Sequence, residues 1–478
     1  MPVVKYDDLR GWIDQVRALG QVRDVSGATW EEDIGRITEM FHHTDGAPAA
    51  LFDDIPGYPH GHRILVNANA TLQRLALTLG LDLDVDRRGL MDRFLELTEE
   101  GKAIPPVVVG PTDAPVFQNV ATGGDVDVLT FPTPLWHPRD GGRYLGTGVS
   151  VVIKDPDSDW VNVGTYRVMI HDGRHVGLYI SPGKHGKQFV DTYFERKQPC
   201  PVAIIPGPDP LLFVGSTVEV PYGVCEYDWV GGIRGEPYPV VNAPVTGLPV
   251  PAAAEIVLEG FLHHDRFLPE GPFGEWHGYY ASGQRPEPVV EVSAVYHRDD
   301  PIMLGVPPNK PPWEPMRYRE YLRSALLLRN LRQAGVPGVV DAQCFAVGGN
   351  RLFNVVSIQQ KYAGHARQAL HVAAQCHAGA YLGRIVVVVD DDVDITDLSD
   401  VIWAICTRSD PEEDMDIIRK VWSGPLDTAV HPDRKGLNSR LLVDATRPWA
   451  WRDRFPAAIG PDPETKRATR ERWGHLLR

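Results

Sequence analysis

The texture of the chain changes twice along its length, and a fold built on one repeating pattern does not accommodate that. From about residue 115 to 310 the sequence is a series of short β-branched segments: VSVVIKD, WVNVGTYRVMIHD, HVGLYI, PVAIIPG, EIVLEGFL and VVEVSAVYH, separated by Gly, Pro and Asp. That spacing predicts an all-β barrel or sandwich. On either side, helix and strand patterns alternate. Residues 6–44 read as helical, with Leu9, Trp12, Ile13, Val16 and Leu19 on one face and WEEDIGRITEMFHH repeating the period behind a candidate cap at Thr29. AALFDDIP and RILVNAN read as strands; ATLQRLALTLGL and RGLMDRFLELTEEG read as helices. Beyond the β section, YREYLRSALLLRNLRQAG and HARQALHVAAQCH are helical, while GVVDAQCF, LFNVVSIQ and RIVVVVDDDVD are strand-like. The expected organisation is an N-terminal α/β domain (1–114), a central β domain (115–317), a C-terminal α/β domain (318–448) and a charged helical tail (449–478). A chain of 478 residues exceeds what a single core holds, which agrees with that division.

Composition removes several classes of partner. The net charge of −15 disfavours nucleic acid and anionic membranes, which both reward basic surface. The longest apolar run, IVVVV at 385–389, is too short to span a bilayer. The N-terminal MPVVKYDDLRGW lacks the basic-then-apolar order of a signal peptide. Five scattered cysteines without a CxxC pair point to a reducing cytoplasm and away from a zinc knuckle.

Four stretches carry candidate chemistry. WVNVGTYRVMIHD places Asn162 and Arg167 five apart, on opposite faces of a strand unless the Gly164-Thr165 pair kinks it. SPGKHGKQF is glycine-rich, with Lys184, His185 and Lys187; it suits a phosphate, or His185 ligates a metal bridging that phosphate. VPYGVCEYDWVGGIRGEP supplies Glu226 and Asp228 at the start of an expected strand. Asn162, His185 and Glu226 would form a mixed N/O set for Mn²⁺ or Mg²⁺. Finally, EGPFGEWHGYY sets Glu270 and Glu275 around a Gly-Pro turn beside aromatic surface. Two carboxylates in a partly apolar pocket raise each other's pKa, which is what a general acid requires. Each stretch alone also reads as an ordinary surface strand, basic loop or solvated acidic turn. DDDVD at 390–394 begins like a calcium loop, but Ile395 stands where Gly is needed and Val401 where Glu is needed, so that reading is rejected.

Taken jointly and in order, these stretches resemble the UbiD-type decarboxylases that use prenylated FMN. The resemblance runs from FPTPLWHPRDGGRYLGTG through the segments above to RIVVVVDDDVDITDLSDVIWAICTR. It implies an α/β multidomain chain whose central domain is a split β-barrel like that of flavin reductases, followed by a C-terminal α/β domain with a helical tail that helps a homodimer or dimer-based oligomer form. It implies Mn²⁺ held by Asn162, His185 and Glu226 against the cofactor phosphate, and K⁺ held through Trp160 and Ser216. Thr165, Tyr166, Arg167 and Lys184 fall on cofactor-contacting positions, and Arg167, Glu270 and Glu275 match a catalytic Glu-Arg-Glu network with Glu275 as proton donor. Phe273, Trp276 and Tyr280 would wall the site.

The implied reaction is reversible, non-oxidative decarboxylation through a covalent adduct with the prenylated flavin, which a separate flavin prenyltransferase would supply. Two departures bear on the substrate and the cofactor. IMLGVPPNKPPWEP offers Asn309 and Lys310 where relatives acting on cinnamic-type acids carry Cys, which favours a pyrrole, furan, indole or hydroxybenzoate acid. Ser399 stands where some relatives have a cofactor-contacting Lys. The competing readings are a flavin- or metal-binding assembly subunit without activity and a metal-dependent hydrolase using Glu226 and His185.

Overall fold

The computed structural model describes residues 4–99, 101–218, 220, 222–460 and 463–477. The chain forms two compact units, residues 1–322 and 323–478.

The first unit holds a small four-stranded sheet and a large curled one. The small sheet runs Val22–Ser26, Ala49–Asp53, Arg63–Val66, Ile302–Gly305. Its last strand comes from the far end of the expected central domain and pairs in parallel with Arg63–Val66. Val22–Ser26 corrects the expectation of continuous helix over 6–44. Helices occupy Leu9–Ala18 and Asp33–His42, but VRDVS between them pairs in parallel with Ala49–Asp53. Gly20 stands at φ +70 just after the first helix, and the β-branched pair Val22 and Val25 suits the extended chain that follows.

The large sheet is antiparallel, in the order Val161–Gly164, Ser150–Lys154, Cys200–Ile205, Ile256–Glu270, Arg285–His297, His175–Tyr179, Arg167–Ile170; Asn119–Thr122 also pairs with the Arg285 strand. Its two outermost strands are neighbours in sequence, joined by Thr165 and Tyr166 alone. So short a link cannot cross an open sheet of this width, so the sheet curls until its edges meet, giving a half-barrel. The kink expected at Gly164-Thr165 is therefore a complete break in the strand.

Three helices interrupt the β section: His185–Glu195, Pro210–Thr217 and Glu226–Arg234. The expectation of a purely β central section missed them, and Glu226 opens a helix rather than a strand. EYDWVGGIRG is a poor helix on propensity because of its two mid-helix glycines. Those glycines are required by close approach: a Cβ on Gly231 would lie 2.3 Å from the Ile104 carbonyl, and one on Gly232 2.4 Å from that of Lys102.

The second unit is a five-stranded mixed sheet ordered Val339–Cys344, Phe353–Ile358, Ile385–Asp390, Leu437–Ala445, Met415–Trp422. Helices Glu314–Gln333, His365–Gln375 and Pro463–Trp473 fall where the sequence places them; helix Leu398–Arg408 and the last two strands are additions to that reading. The DDDVD run is an ion-pair centre. Arg408 grips Asp392 through two hydrogen bonds of 2.9 Å, and Arg447 bonds to Asp390 at 3.1 Å. Among the described residues no helix is long and apolar enough to cross a membrane.

Candidate active site

The seam where the curled sheet meets itself positions the site. Arg167 starts one edge strand, opposite Tyr179 in register, and its guanidinium carbon lies 4.7 Å from the centre of that ring. Glu270 ends the long hairpin strand, paired with Arg285. Glu275 follows on a tight turn, its N–H bonded to the Tyr279 carbonyl at 3.0 Å. These folds bring the two acids onto one cation: Arg167 Nη2 lies 2.5 Å from Glu270 Oε2, and Nη1 3.1 Å from Glu275 Oε1. Glu270 is fully buried and also accepts from the Tyr144 hydroxyl at 3.0 Å. Tyr144 reaches it because residue 144 bridges to Met169 on the Arg167 strand, and its ring stacks on Phe273 at 3.9 Å.

One guanidinium between a fully buried and a partly buried carboxylate leaves the second acid short of positive charge. Burial pushes Glu275 up to about 7; Arg167 and Arg285 oppose that rise and Glu270 adds to it. Glu275 lines a cavity of about 320 Å³ with His137, Tyr279, Tyr280, Asn309 and Lys310, at the small end of ligand sites and suited to a one-ring acid. A second cavity of about 300 Å³, lined by Leu178, Val190, Phe194 and Phe267, takes in Lys187 of the candidate phosphate loop but neither Glu270, Glu275 nor Arg167. Of the expected wall, Tyr280 lines the cavity, while Phe273 turns inward onto Tyr144 and the Trp276 carbonyl accepts from Trp313 Nε1 at 3.1 Å. Asn309 reaches the cavity as expected.

Of the expected metal ligands, Asn162 lies on the other edge strand, and Glu226 and His185 each open a helix packed beside it. Asn162 Nδ2 donates to Glu226 Oε1 at 2.9 Å, Val163 N–H to Glu226 Oε2 at 2.7 Å, and the Tyr166 hydroxyl to Asn162 Oδ1 at 2.6 Å. His185 opens its helix next to Gly186, where a Cβ would lie 3.0 Å from Asn162 Oδ1. Burial lowers the His185 pKa, with Lys184 adding to the effect, which favours the neutral imidazole that binds metals. Glu226 is buried among neutral donors, and desolvation pushes it up to about 7. A divalent cation supplies the positive charge this carboxylate lacks, so the residues fit such an ion. Arg167 Nε, buried and without a partner, fits an acceptor on a bound cofactor.

The other expected residues are more loosely tied to this centre. Thr165 donates to the Val149 carbonyl at 2.9 Å, and Lys184 stands exposed at the cap of the His185 helix. The Trp160 carbonyl accepts from Asp155 N–H at 2.9 Å and the Ser216 carbonyl from Thr165 N–H at 3.1 Å, leaving each oxygen a second lone pair. Ser399 lies in the second unit, near the start of helix Leu398–Arg408, and its N–H bonds to Asp397. Among the described residues, the carboxylate–histidine group that geometry alone picks out is Asp53, Asp54 and His60, which lies toward the surface and contains none of the expected ligands. Sequence reasoning missed Tyr144; its signal was a single large hydroxyl-bearing residue in the glycine-flanked GGRYLG.

Comparison with known proteins follows this geometry. Models of the N-terminal, Rift-related and C-terminal domains of 3-octaprenyl-4-hydroxybenzoate carboxy-lyase match residues 13–98, 107–311 and 318–445. The chain is 31% identical to the pyrrole-2-carboxylic acid decarboxylase of Pseudomonas aeruginosa, over 98% of this chain and 97% of the other. The open form of the vanillic acid decarboxylase of Sedimentibacter hydroxybenzoicus superposes with a TM-score of 0.86 at 29% identity, covering 99% and 100%. An evolved dimeric form of the UbiD-class enzyme HmfF from Pelotomaculum thermopropionicum, in complex with prFMN, superposes at 0.82 with 26% identity, covering 95% and 97%.

Proposed function

The chain belongs to the UbiD-type family of prenylated-FMN-dependent decarboxylases, and from that membership we propose that it removes CO₂, non-oxidatively and reversibly, from a one-ring aromatic or heteroaromatic acid. Loss of CO₂ from an sp² carbon leaves a carbanion that no side chain delocalises, and the prenylated flavin supplies that electron sink when bound. Asn162, His185 and Glu226 would hold Mn²⁺ toward the cofactor phosphate, with Lys184 and the N-terminus of the His185 helix as further anion contacts. The oxygens of Trp160 and Ser216 would hold K⁺, and Thr165 and Tyr166 would line the cofactor.

The remaining chemistry falls to the chain's own acids. Arg167 fixes both carboxylates, and burial holds a proton on Glu275. Glu275 delivers that proton to the carbon that CO₂ vacates, inside a cavity whose cationic Arg139 and Lys310 attract an acid. The observation that carries this reading is the buried Glu270–Arg167–Glu275 chain ending on that cavity. An assembly subunit without activity has no use for such a chain, and a flavin-free hydrolase none for its Arg.

The test co-produces the chain with a flavin prenyltransferase and measures visible absorbance, manganese content and CO₂ release from a panel of aromatic acids. The expected result is a flavin band, manganese and CO₂ together, with Asn162→Ala losing metal and flavin in parallel. A coloured protein inert to every acid would support the assembly-subunit reading instead.

A further inference from the structure

Three imidazoles converge on three consecutive residues of the cavity wall. His137 Nε2 meets the Pro308 carbonyl at 2.8 Å, His43 Nε2 meets the Lys310 carbonyl at 2.8 Å, and Asn309 Nδ2, between them, lies 3.3 Å from His42 Nδ1. The first two contacts pin the backbone on both sides of Asn309, since each carbonyl accepts an imidazole N–H. The third acts on the side chain. His42 is completely buried at the C-terminal end of helix Asp33–His42, and its Nε2 has no partner. A buried polar ring that leaves one nitrogen unsatisfied is costly where an apolar ring would pack, so its single contact needs a reason. Burial lowers the His42 pKa to about 3, so the ring is neutral; the Asn309 NH₂ facing Nδ1 selects the tautomer that carries its proton on Nε2 and leaves Nδ1 the lone pair. With its NH₂ end turned to that lone pair, Asn309 is left with its carbonyl end for the cavity it lines with Glu275.

We propose that His42 is a positioning residue for substrate choice: by accepting from the Asn309 amide it points that amide's oxygen into the cavity, so the preferred acid carries a hydrogen-bond donor, a ring N–H or a phenolic O–H. This rests on the decarboxylase reading above and narrows it. Pyrrole- and hydroxybenzoate-type acids meet the requirement; a furan acid, whose ring oxygen would face the amide oxygen, does not.

Pyrrole-2-carboxylate and furan-2-carboxylate, alike in size and differing in the N–H, make the test. Their dissociation constants are measured on cofactor-loaded Glu275→Gln protein, and kcat/KM for both on the loaded wild type. Expected is a preference for the pyrrole acid of about tenfold or more, the worth of one hydrogen bond. His42→Phe, which keeps the ring and removes the acceptor, should bring the two acids within about twofold. His42→Asn, whose amide oxygen replaces Nδ1 as acceptor, should restore the preference. Equal preference in wild type and His42→Phe overturns the proposal. A wild-type preference for the furan acid overturns it too, and does so even if His42→Phe fails to fold. Failure of the decarboxylase reading looks different: the binding preference persists while neither acid releases CO₂.

Discussion

Glu275 is where the local physics is most exposed to measurement. In the proposed role of proton donor it works only while protonated, and burial next to a single shared cation keeps it so up to about pH 7. The sign follows directly: activity that depends on this proton is full below that value and lost above it. The decarboxylation rate under saturating acid should therefore be level at low pH and fall by about tenfold per unit above neutrality, as a pH–rate profile would record. A profile falling near pH 4.5, the ordinary range for Glu, would mean the carboxyl is not desolvated in the working enzyme. Much of this centre was legible in the sequence. Glu270 and Glu275 stand around an unmistakable turn, and Arg167 lies in a strand broken by glycine. Tyr144 and the histidine brace were not legible. Their roles depend on contacts 126 and 267 residues apart in sequence, which no local pattern carries.

The turn carrying these acids is held by backbone packing rather than by a helix or strand of its own. Gly141 N–H bonds to the Pro272 carbonyl at 2.7 Å, and a Cβ at 141 would lie 2.0 Å from the Gly271 carbonyl oxygen. Gly141→Ala should push the 270–275 turn away, costing about 1–3 kcal/mol of stability by overpacking. Displacing Glu275 by even part of an ångström should lower kcat by tenfold to about a hundredfold. Urea denaturation and steady-state rates on the loaded protein check both. A variant with unchanged rate would show that the turn does not depend on this contact. Strands were read well from β-branched runs, because the pleat repeats every two residues. The His185, Pro210 and Glu226 helices were missed for different reasons. The Pro210 helix is apolar on every side and has no stripe to detect, and the Glu226 helix tolerates glycines for the sake of its neighbour's backbone.

For the chain as a unit of function, the sequence's changes of texture correspond to changes in the kind of structure formed, while the contacts divide the chain into two units, 1–322 and 323–478. The α/β sections and the curled β section exist as expected. What composition could not convey is that strand Ile302–Gly305 returns to the N-terminal sheet, a pairing across more than two hundred residues. That return carries Asn309 and Lys310 back beside helix Asp33–His42, so the N-terminal α/β section braces the cavity wall from behind. All five cysteines are free. The claim that joins these levels is that Glu275 reprotonates the carbon from which CO₂ departs. Its most direct measurement compares wild-type and Glu275→Gln protein, both loaded with the prenylated flavin, for CO₂ release in D₂O and for deuterium at the vacated carbon. The account predicts one deuterium per turnover in the wild type, and a variant that keeps its flavin absorbance while losing turnover. Turnover at the wild-type rate by a flavin-loaded Glu275→Gln protein would contradict it.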